Sequence, residues 1–251
     1  HIRNFSASRD NLISNDIPSL GLATGTMDVG GGDNSWALRG AFFRLNYGYD
    51  ERYLLEVNGR YDLSSRFPES GRDVFNPSVS AAWRISNESF FEGARNVVDE
   101  LKIRGSYGSL GNQSVDAYQP YLSNYSSGTL GWLMGGQQGT YVIPGSLVSS
   151  SLTWETATQW DLGLDFVMLR NRLRGSFDYY ERRTSDILIA GKKLPAVLGA
   201  SSPVANAAEI KTRGWEFEVS WSDRLDNGLA YSVGFNISDY QAEVTKFDNP
   251  S

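Results

Sequence analysis

The chain carries acidic residues at spacings that could support acid–base chemistry. Glu216 and Glu218 are two residues apart, so on a β-strand their carboxylates would share one face. A second group of charged residues is expected on that same face: Asp161, Asp165, Asp178, Arg172 and Arg174. Two carboxylates beside a glycosidic bond could hydrolyse it, which makes a glycosidase one hypothesis. We favour the alternative, a hydrated surface of compensating charges, because these acids alternate with apolar residues as in a strand that lines a wet lumen.

Other residue patterns exclude several classes of site. The single histidine, His1, lies at the terminus, which argues against a catalytic triad or a multi-histidine metal centre. Gly30-Gly31-Gly32 lacks both the strand-before, helix-after context and the Gly-Lys-Ser/Thr ending of a phosphate loop. The chain has no cysteine and a net charge of −6, which removes thiolate metal sites and argues against a nucleic-acid partner. We therefore predict no enzymatic activity, no metal and no cofactor.

The segment 110–153 is the best candidate for ligand binding. It combines aromatic rings with side-chain amides, a composition that suits stacking and hydrogen bonding to a sugar or a peptide. Long loops without secondary structure are usually functional or disordered. The predicted ligand-binding residues are Asn112, Gln113, Tyr121, Tyr125 and Trp132. The alternative is that these aromatic residues pack the loop against itself or against a partner protein.

The elements that would position these residues show a two-residue alternation of apolar and polar side chains. In 53–63, Tyr53, Leu55 and Val57 alternate with Glu56 and Asn58. The same alternation predicts eight strands: 41–49, 53–63, 73–85, 100–109, 154–168, 172–184, 210–222 and 229–240. Strands of soluble proteins usually run about five or six residues, whereas a membrane-spanning strand needs roughly 9–11. The length favours a transmembrane β-barrel, with apolar side chains facing lipid and polar ones facing the lumen.

The connections between the predicted strands alternate in length. Short polar links at 50–52, 169–171 and 223–228 alternate with long links at 110–153 and 185–209. Outer-membrane barrels have short periplasmic turns and longer extracellular loops. The link 86–99 is a longer periplasmic connection, in which 94–100 could form a short helical turn, and 66–72 is a short extracellular loop.

Aromatic residues support the barrel over the alternative, a large soluble β-sandwich. They fall near the predicted strand ends, where interfacial girdles are expected: Trp36, Tyr47, Tyr49, Tyr53, Tyr61, Trp83, Tyr179 and Trp221. No run of about 18 apolar residues is present, so the sequence predicts no transmembrane helix.

Several strings, in this order, resemble the RagA/SusC family of TonB-dependent transporters: Phe43-Arg44-Leu45-Asn46-Tyr47, Arg52-Tyr53-Leu54-Leu55, Arg60-Tyr61-Asp62-Leu63, Asn76-Pro77-Ser78-Val79, Leu101-Lys102-Ile103-Arg104-Gly105-Ser106-Tyr107-Gly108, Leu152-Thr153-Trp154-Glu155-Thr156 and Lys211-Thr212-Arg213-Gly214-Trp215-Glu216. The resemblance covers roughly residues 36–248. It implies an outer-membrane protein of Bacteroidota that imports glycan or peptide fragments under a SusD-like surface lipoprotein. It also implies that TonB supplies energy through an N-terminal box and a plug domain.

The resemblance also predicts that the chain is a piece of a longer protein. Members of the family close a barrel of about 22 strands around the plug, whereas the pattern here predicts about eight strands, with neither plug nor TonB box. We therefore interpret 1–251 as a partial barrel domain, an all-β antiparallel segment with long extracellular loops.

Two alternatives remain open at this point. The first is a TonB-dependent receptor for a siderophore or a corrinoid, which would keep the barrel and change the ligand. The second is a soluble β-rich surface module for binding or adhesion, which would differ in dissolving without detergent.

Overall fold

The computed structural model describes residues 1–113, 115 and 118–248. Its strands are β1 (Ile2–Arg9), β2 (Met27–Asn34), β3 (Leu38–Tyr49), β4 (Tyr53–Ser64), β5 (Asp73–Arg84), β6 (Val98–Asn112), β7 (Tyr125–Met134), β8 (Gln137–Pro144), β9 (Glu155–Met168), β10 (Leu173–Ala190), β11 (Val204–Arg224) and β12 (Ala230–Phe247). Short 3-10 turns occur at Glu69–Gly71, Ile85–Asn87, Ser89–Ala94 and Ala196–Leu198. In the described part of the chain, no helix is long and apolar enough to cross a membrane.

Eight strands form one antiparallel sheet in the order β12-β11-β10-β9-β6-β5-β4-β3. The hairpins β1–β2 and β7–β8 each form a separate two-stranded sheet. All eight predicted strands lie in the large sheet, so the predicted all-β antiparallel fold is confirmed.

The register keeps apolar and polar side chains on opposite faces of the large sheet. Val57 lies opposite Leu45 on one side and Val79 on the other, while the adjacent Glu56 lies opposite Asn46 and Ser80. A shift of one residue would exchange the two faces, so the pairing is fixed by the alternation itself. We call the two sides of the sheet the apolar face and the polar face.

The two ends of the sheet differ in their connections. Tight links at 50–52, 169–172 and 225–229 lie at one end, which we call the turn end, together with the longer link 85–97. Left-handed backbone conformations close the first two: Asp50, Glu51, Leu169, Arg170 and Asn171 have φ between 51° and 63°. The links 65–72, 113–154 and 191–203 lie at the opposite end, the loop end. The predicted alternation of short and long connections is therefore confirmed.

Two local predictions were incomplete or wrong. The 110–153 segment is not structureless, because β6 continues to Asn112 and the hairpin β7–β8 occupies its middle. The helical turn expected at 94–100 lies earlier, at 85–94, and Val98 already begins β6. Gly30-Gly31-Gly32 is part of β2, paired with Phe5 and its neighbours in β1.

Candidate functional site

The five predicted ligand-binding residues fall into two groups in the structure. Asn112, Gln113 and Tyr121 lie at the base of the 113–154 loop, beside the sheet. Tyr125 and Trp132 lie on β7 and are exposed by 78% and 63%. The structure therefore does not bring all five residues together in one pocket.

The base group is engaged in contacts within the protein. The Asn112 amide donates to the Glu155 carboxylate at 2.7 Å, and the second oxygen of Glu155 accepts the Leu188 backbone N–H at 2.8 Å. The Tyr121 hydroxyl donates to the Ser65 carbonyl at 3.4 Å. Gln113 keeps a buried amide oxygen without a hydrogen-bond partner among the described residues. These residues hold the loop in place, and Gln113 retains an acceptor for a further donor.

A small apolar core fixes the far end of the loop. Phe67, Leu152 and Trp154 are exposed by 0%, 1% and 5%, and the Phe67 and Trp154 rings lie 5.3 Å apart between centroids. The Trp154 indole N–H donates to the Arg72 carbonyl at 3.0 Å. Among the described residues, these three are the large apolar side chains that are buried. The core therefore joins the loop 65–72 to the residues that lead into β9.

Gly71 makes the approach of these two segments possible. A Cβ atom at position 71 would collide with the Leu152 carbonyl oxygen. Glycine is required where two backbones come this close. The Thr153 hydroxyl also donates to the Gly71 carbonyl at 3.4 Å, so the contact is both packed and hydrogen-bonded.

Asn206 ties the same segment to β11. Its side-chain oxygen accepts the Thr153 backbone N–H at 3.0 Å, and its amide nitrogen donates to the Thr153 carbonyl at 2.9 Å. The nitrogen also donates to the Asp186 carbonyl at 2.7 Å. One side chain thereby satisfies backbone groups of the 113–154 loop and of β10.

Arg66 holds the near end of the loop. Its guanidinium lies 4.6 Å from the Trp36 ring centroid and 5.9 Å from that of Tyr118. It also donates to the Val115 carbonyl at 3.1 Å. A planar guanidinium combines stacking with directional hydrogen bonding, which an ammonium does not. We call Arg66, Phe67, Gly71, Leu152, Trp154 and Asn206 together the loop clamp.

The hairpin β7–β8, which we call the arm, lies between the two ends of the 113–154 loop that the clamp holds. Residues 117–154 contain no Asp, Glu, Lys, Arg or His, although charged residues make up 21% of the whole chain. The apolar side chains of the arm stay exposed on both strands, as Tyr125, Trp132 and Val142 show. An uncharged surface with free aromatic rings can stack on a ligand and bind it through amides and hydroxyls.

The predicted cluster of acids lies on the polar face of the sheet, where Arg104 binds three of them. Its guanidinium contacts Asp178 at 2.7 Å, Asp165 at 3.2 Å and Asp161 at 3.4 Å. Lys102 adds a second cation at 2.6 Å from Asp165. The predicted partners Arg172 and Arg174 do not take this role; Arg172 instead pairs with Asp223 at 3.2 Å. Two cations therefore offset most of the charge of these three acids on the polar face.

Gly163 allows Arg104 to reach across a strand. It lies on β9 directly opposite both Arg104 on β6 and Asp178 on β10. A Cβ atom at this position would lie 2.5 Å from the Arg104 guanidinium carbon and 2.6 Å from an Asp178 oxygen. The missing side chain opens the space through which the ion pair joins two strands that do not pair with each other.

A concavity of about 540 Å³ lies over this part of the sheet. Its lining includes these polar residues: Asn46, Glu56, Lys102, Arg104, Ser106 and Asp161. In the described residues, no group of three or more acidic or histidine side chains is placed to hold a metal ion.

The clamp residues were not identified from the sequence. Gly71 is unremarkable within a short loop, and Asn206 lies outside the predicted strands. Leu152 and Trp154 belong to a string that carries the family resemblance, which was the available signal. Arg104 could have been found, because it sits in the polar stripe of a predicted strand that faces the acids of the next one.

Sequence and structure comparisons place these features among known proteins. The profile of the family described as TonB dependent receptor-like, beta-barrel matches residues 3–251. TonB-dependent receptor P3 of Formosa agariphila is 33% identical over 244 residues, which cover 96% of this chain and 24% of that protein. TonB-dependent receptor SusC of Bacteroides thetaiotaomicron is 30% identical over 214 residues, which cover 82% and 20%. The chain thus spans about a quarter or less of the length of the curated relatives it matches.

Solved structures share the fold. The RagAB peptide importer in its open-open state aligns with a TM-score of 0.76 at 24% identity, covering 94% of this chain and 24% of that one. The siderophore receptor PirA from Pseudomonas aeruginosa aligns with a TM-score of 0.51 at 15% identity, covering 86% and 36%.

Proposed function

Because the chain belongs to the TonB-dependent receptor-like β-barrel family, we propose that it forms part of the wall of an outer-membrane importer for nutrients. The observation that supports this most strongly is the large sheet itself. Its strands run from 12 to 21 residues, beyond the roughly 9–11 that a membrane-spanning strand needs, and one face is apolar throughout their middle. In this role the sheet lines the path of the nutrient and carries the loops, and it performs no enzymatic reaction.

The orientation follows from the connections. In outer-membrane barrels the short turns face the periplasm and the long loops face the outside. The turn end therefore lies in the periplasm, whereas the loop clamp and the arm lie at the cell surface. The polar face, with the Arg104 cluster, lines the lumen.

We assign ligand contact to the loop 113–154 and its base. Tyr125 and Trp132 offer exposed rings on the arm, and Asn112, Gln113 and Tyr121 lie at the base of the same loop. The ligand class that fits is an oligosaccharide or peptide fragment bound through its uncharged groups. The arm supplies stacking and hydrogen bonds but no ion pair, because residues 117–154 carry no charge.

Two partners complete the proposal. A SusD-like surface lipoprotein would cover the mouth from outside and confine the ligand. TonB would supply energy through an N-terminal region outside the present chain. The name of the relative SusC, a TonB-dependent receptor, supports the second assignment, and the resemblance to the RagA/SusC family supports the first.

Gene deletion followed by complementation tests the proposal. A strain that lacks the full-length gene should lose growth on one glycan or peptide mixture supplied as the carbon source. Complementation with Trp132→Ala should restore growth only at higher nutrient concentration, because a stacking surface is lost. Phe5→Ala, which changes an exposed ring on the other hairpin, is the matched control and should behave as the native protein.

Two results would contradict the assignment. Loss of growth under iron or corrinoid limitation, with normal growth on every carbon source, would favour a siderophore or corrinoid receptor. Recovery of the full-length protein from the soluble fraction without detergent would favour the surface binding module.

A further inference from the structure

The link 85–97 differs from the other connections at the turn end. The others span three to five residues, at 50–52, 169–172 and 225–229, whereas this one holds two 3-10 turns, Ile85–Asn87 and Ser89–Ala94. Turns on this side of a membrane barrel are normally short. The contacts made by these additional residues indicate why the link is longer.

Phe90 extends an aromatic row on the apolar face. Tyr49 stacks on Tyr53 and Tyr53 stacks on Trp83, with ring centroids 6.4 Å apart in both pairs. Phe90 meets the Trp83 ring edge-on at 6.5 Å and 66°. Phe90 is nevertheless 69% exposed. The 3-10 turn Ser89–Ala94 thus packs against the apolar face of the sheet, and the exposed Phe90 ring lies beside the strands.

Glu88 fixes this placement. Its side chain is 11% exposed, and its carboxylate accepts the Tyr53 hydroxyl at 2.7 Å and the Trp83 indole N–H at 3.0 Å. Arg52 approaches the second oxygen at 3.5 Å. The polar tips of two interfacial rings and one cation are thus gathered on a single carboxylate. The arrangement suits a boundary between water and lipid, where such rings keep one end apolar and the other hydrogen-bonded.

Hydrogen bonds on both sides hold the link against the rim of the sheet. The Asn87 amide donates to the Glu51 carbonyl at 3.1 Å, and the Arg95 guanidinium donates to the Ser86 carbonyl at 3.1 Å. The Leu169 N–H donates to the Val97 carbonyl at 2.8 Å. The link is therefore joined to the neighbouring turns and cannot swing freely into the periplasm.

We propose that the segment 89–94 is seated in the headgroup region of the adjoining phospholipid leaflet, with the Phe90 ring inserted at the top of the acyl chains. The inference rests on the proposed function in one respect, namely that the large sheet spans a membrane. Its support is the continuity of Phe90 with the lipid-facing aromatic row. A short amphipathic element with an aromatic residue on its apolar side is held at such an interface by partial burial of that ring.

Fluorescence quenching in proteoliposomes tests the proposal on the full-length transporter. An environment-sensitive dye is attached at Phe90→Cys, and the vesicles are phosphatidylcholine with a nitroxide placed either near the headgroup or near the end of the acyl chain. Phe177→Cys in the middle of the apolar stripe is the acyl-chain control, and Asp226→Cys in the short turn 225–229 is the aqueous control. We expect the dye at position 90 to lose most of its emission to the shallow nitroxide and little to aqueous iodide.

The controls separate the possible outcomes. In one outcome, the dye at 177 is quenched by the deep nitroxide while the dye at 90 responds only to iodide. This result would contradict the proposed location of 89–94 in the lipid and would leave the proposed membrane-spanning sheet intact. If the dye at 177 also responds only to iodide, the membrane-spanning sheet and the inference fall together. As a check on the unaltered protein, a photoactivatable phospholipid should form adducts on the peptide that contains Phe90 and Phe91. Adducts on the Phe177 peptide alone would overturn the proposal.

Discussion

The large sheet and the loop clamp are stabilised in different ways. Within the sheet, large apolar side chains such as Leu162 and Phe177 stay exposed on one face, and the strands are joined by their backbone ladders. In the clamp, Phe67 and Leu152 are removed from solvent almost completely. A soluble protein would bury the first set as it buries the second. This difference is what the proposed function requires, with lipid beside the apolar face of the sheet and water around the loop end.

The largest effect is expected from truncating the clamp core. Trp154→Ala removes a buried indole and the hydrogen bond to the Arg72 carbonyl, and should cost about 3–5 kcal/mol of local stability. The wall should be unaffected. Limited proteolysis of the full-length protein in membranes should show new cleavage within 113–154, with the heat-resistant gel mobility of the barrel retained. Trp132→Ala, an exposed indole on the same loop, should leave cleavage unchanged; new cleavage there would show that the arm is stabilised by contacts beyond the clamp.

The next effect is expected on the apolar face. Phe177→Arg would place a charge in the middle of the lipid-facing stripe and should destabilise the barrel by about 2–4 kcal/mol. Ser176→Arg, the adjacent residue on the polar face, should change stability little because its side chain meets the hydrated lumen. Refolding from urea into lipid vesicles measures both variants. Equal losses would contradict the assignment of the two faces.

A smaller effect is expected on the polar face of the wall. Arg104→Met leaves Asp161, Asp165 and Asp178 without their shared partner and should cost about 1–2 kcal/mol, since the site is partly hydrated. Adding Asp178→Asn to this variant should recover part of the loss, because one of the repelling charges is removed. Arg44→Met, which changes a more exposed arginine of the same face, should be near neutral. Additivity of the two changes at 104 and 178 would show that the cluster does not act as a unit.

The smallest effect is expected at the turn end and depends on pH. Hydrogen bonds from Tyr53 and Trp83 lower the pKa of Glu88 below its usual range. A carboxylate with a lowered pKa stabilises the folded state above the ordinary glutamate pKa of about 4.3, and this contribution is lost as pH falls through the lower value. Glu88→Gln should therefore lower the melting temperature near neutral pH, and the difference from the native protein should shrink in acid. The midpoint of the heat-induced gel shift measures this difference, with Glu92→Gln, an exposed acid of the same link, as control. A difference that stays constant across pH would contradict the role of the ionised carboxylate.

The alternation of side chains predicted the strands of the large sheet, because one face requires apolar residues and the other requires polar residues. Each of the eight predicted strands was found, and the polar stripes correctly placed Asp161, Asp165 and Asp178 together. The strand ends were underestimated where the pattern fades. β10 and β11 continue to Ala190 and back to Val204, past irregularities in register near Ile187 and Ile210, where neither face needs to be apolar.

The loop end could not be predicted in the same way. The strand β2 contains Gly30, Gly31 and Gly32, and the arm is rich in glycine and serine, so local propensity argued against strands in both hairpins. The clamp depends on contacts between segments that are distant in sequence, such as Gly71 with Leu152 and Asn206 with Thr153. No local pattern encodes these pairs.

The arm is structurally separate from the loop clamp, and this separation affects how the protein can evolve. The arm forms its own two-stranded sheet, and the Gly145 N–H closes it by donating to the Asn124 carbonyl at 2.6 Å. Because both ends of the loop are fixed by residues outside the arm, insertions, deletions and whole replacements between positions 124 and 145 need not disturb the barrel. Selection can therefore rewrite the arm quickly while the residues that anchor it change slowly. Among transporters that descend from one ancestor, the sequence of the arm would therefore differ according to the nutrient imported. The sequence of the large sheet would instead reflect common descent.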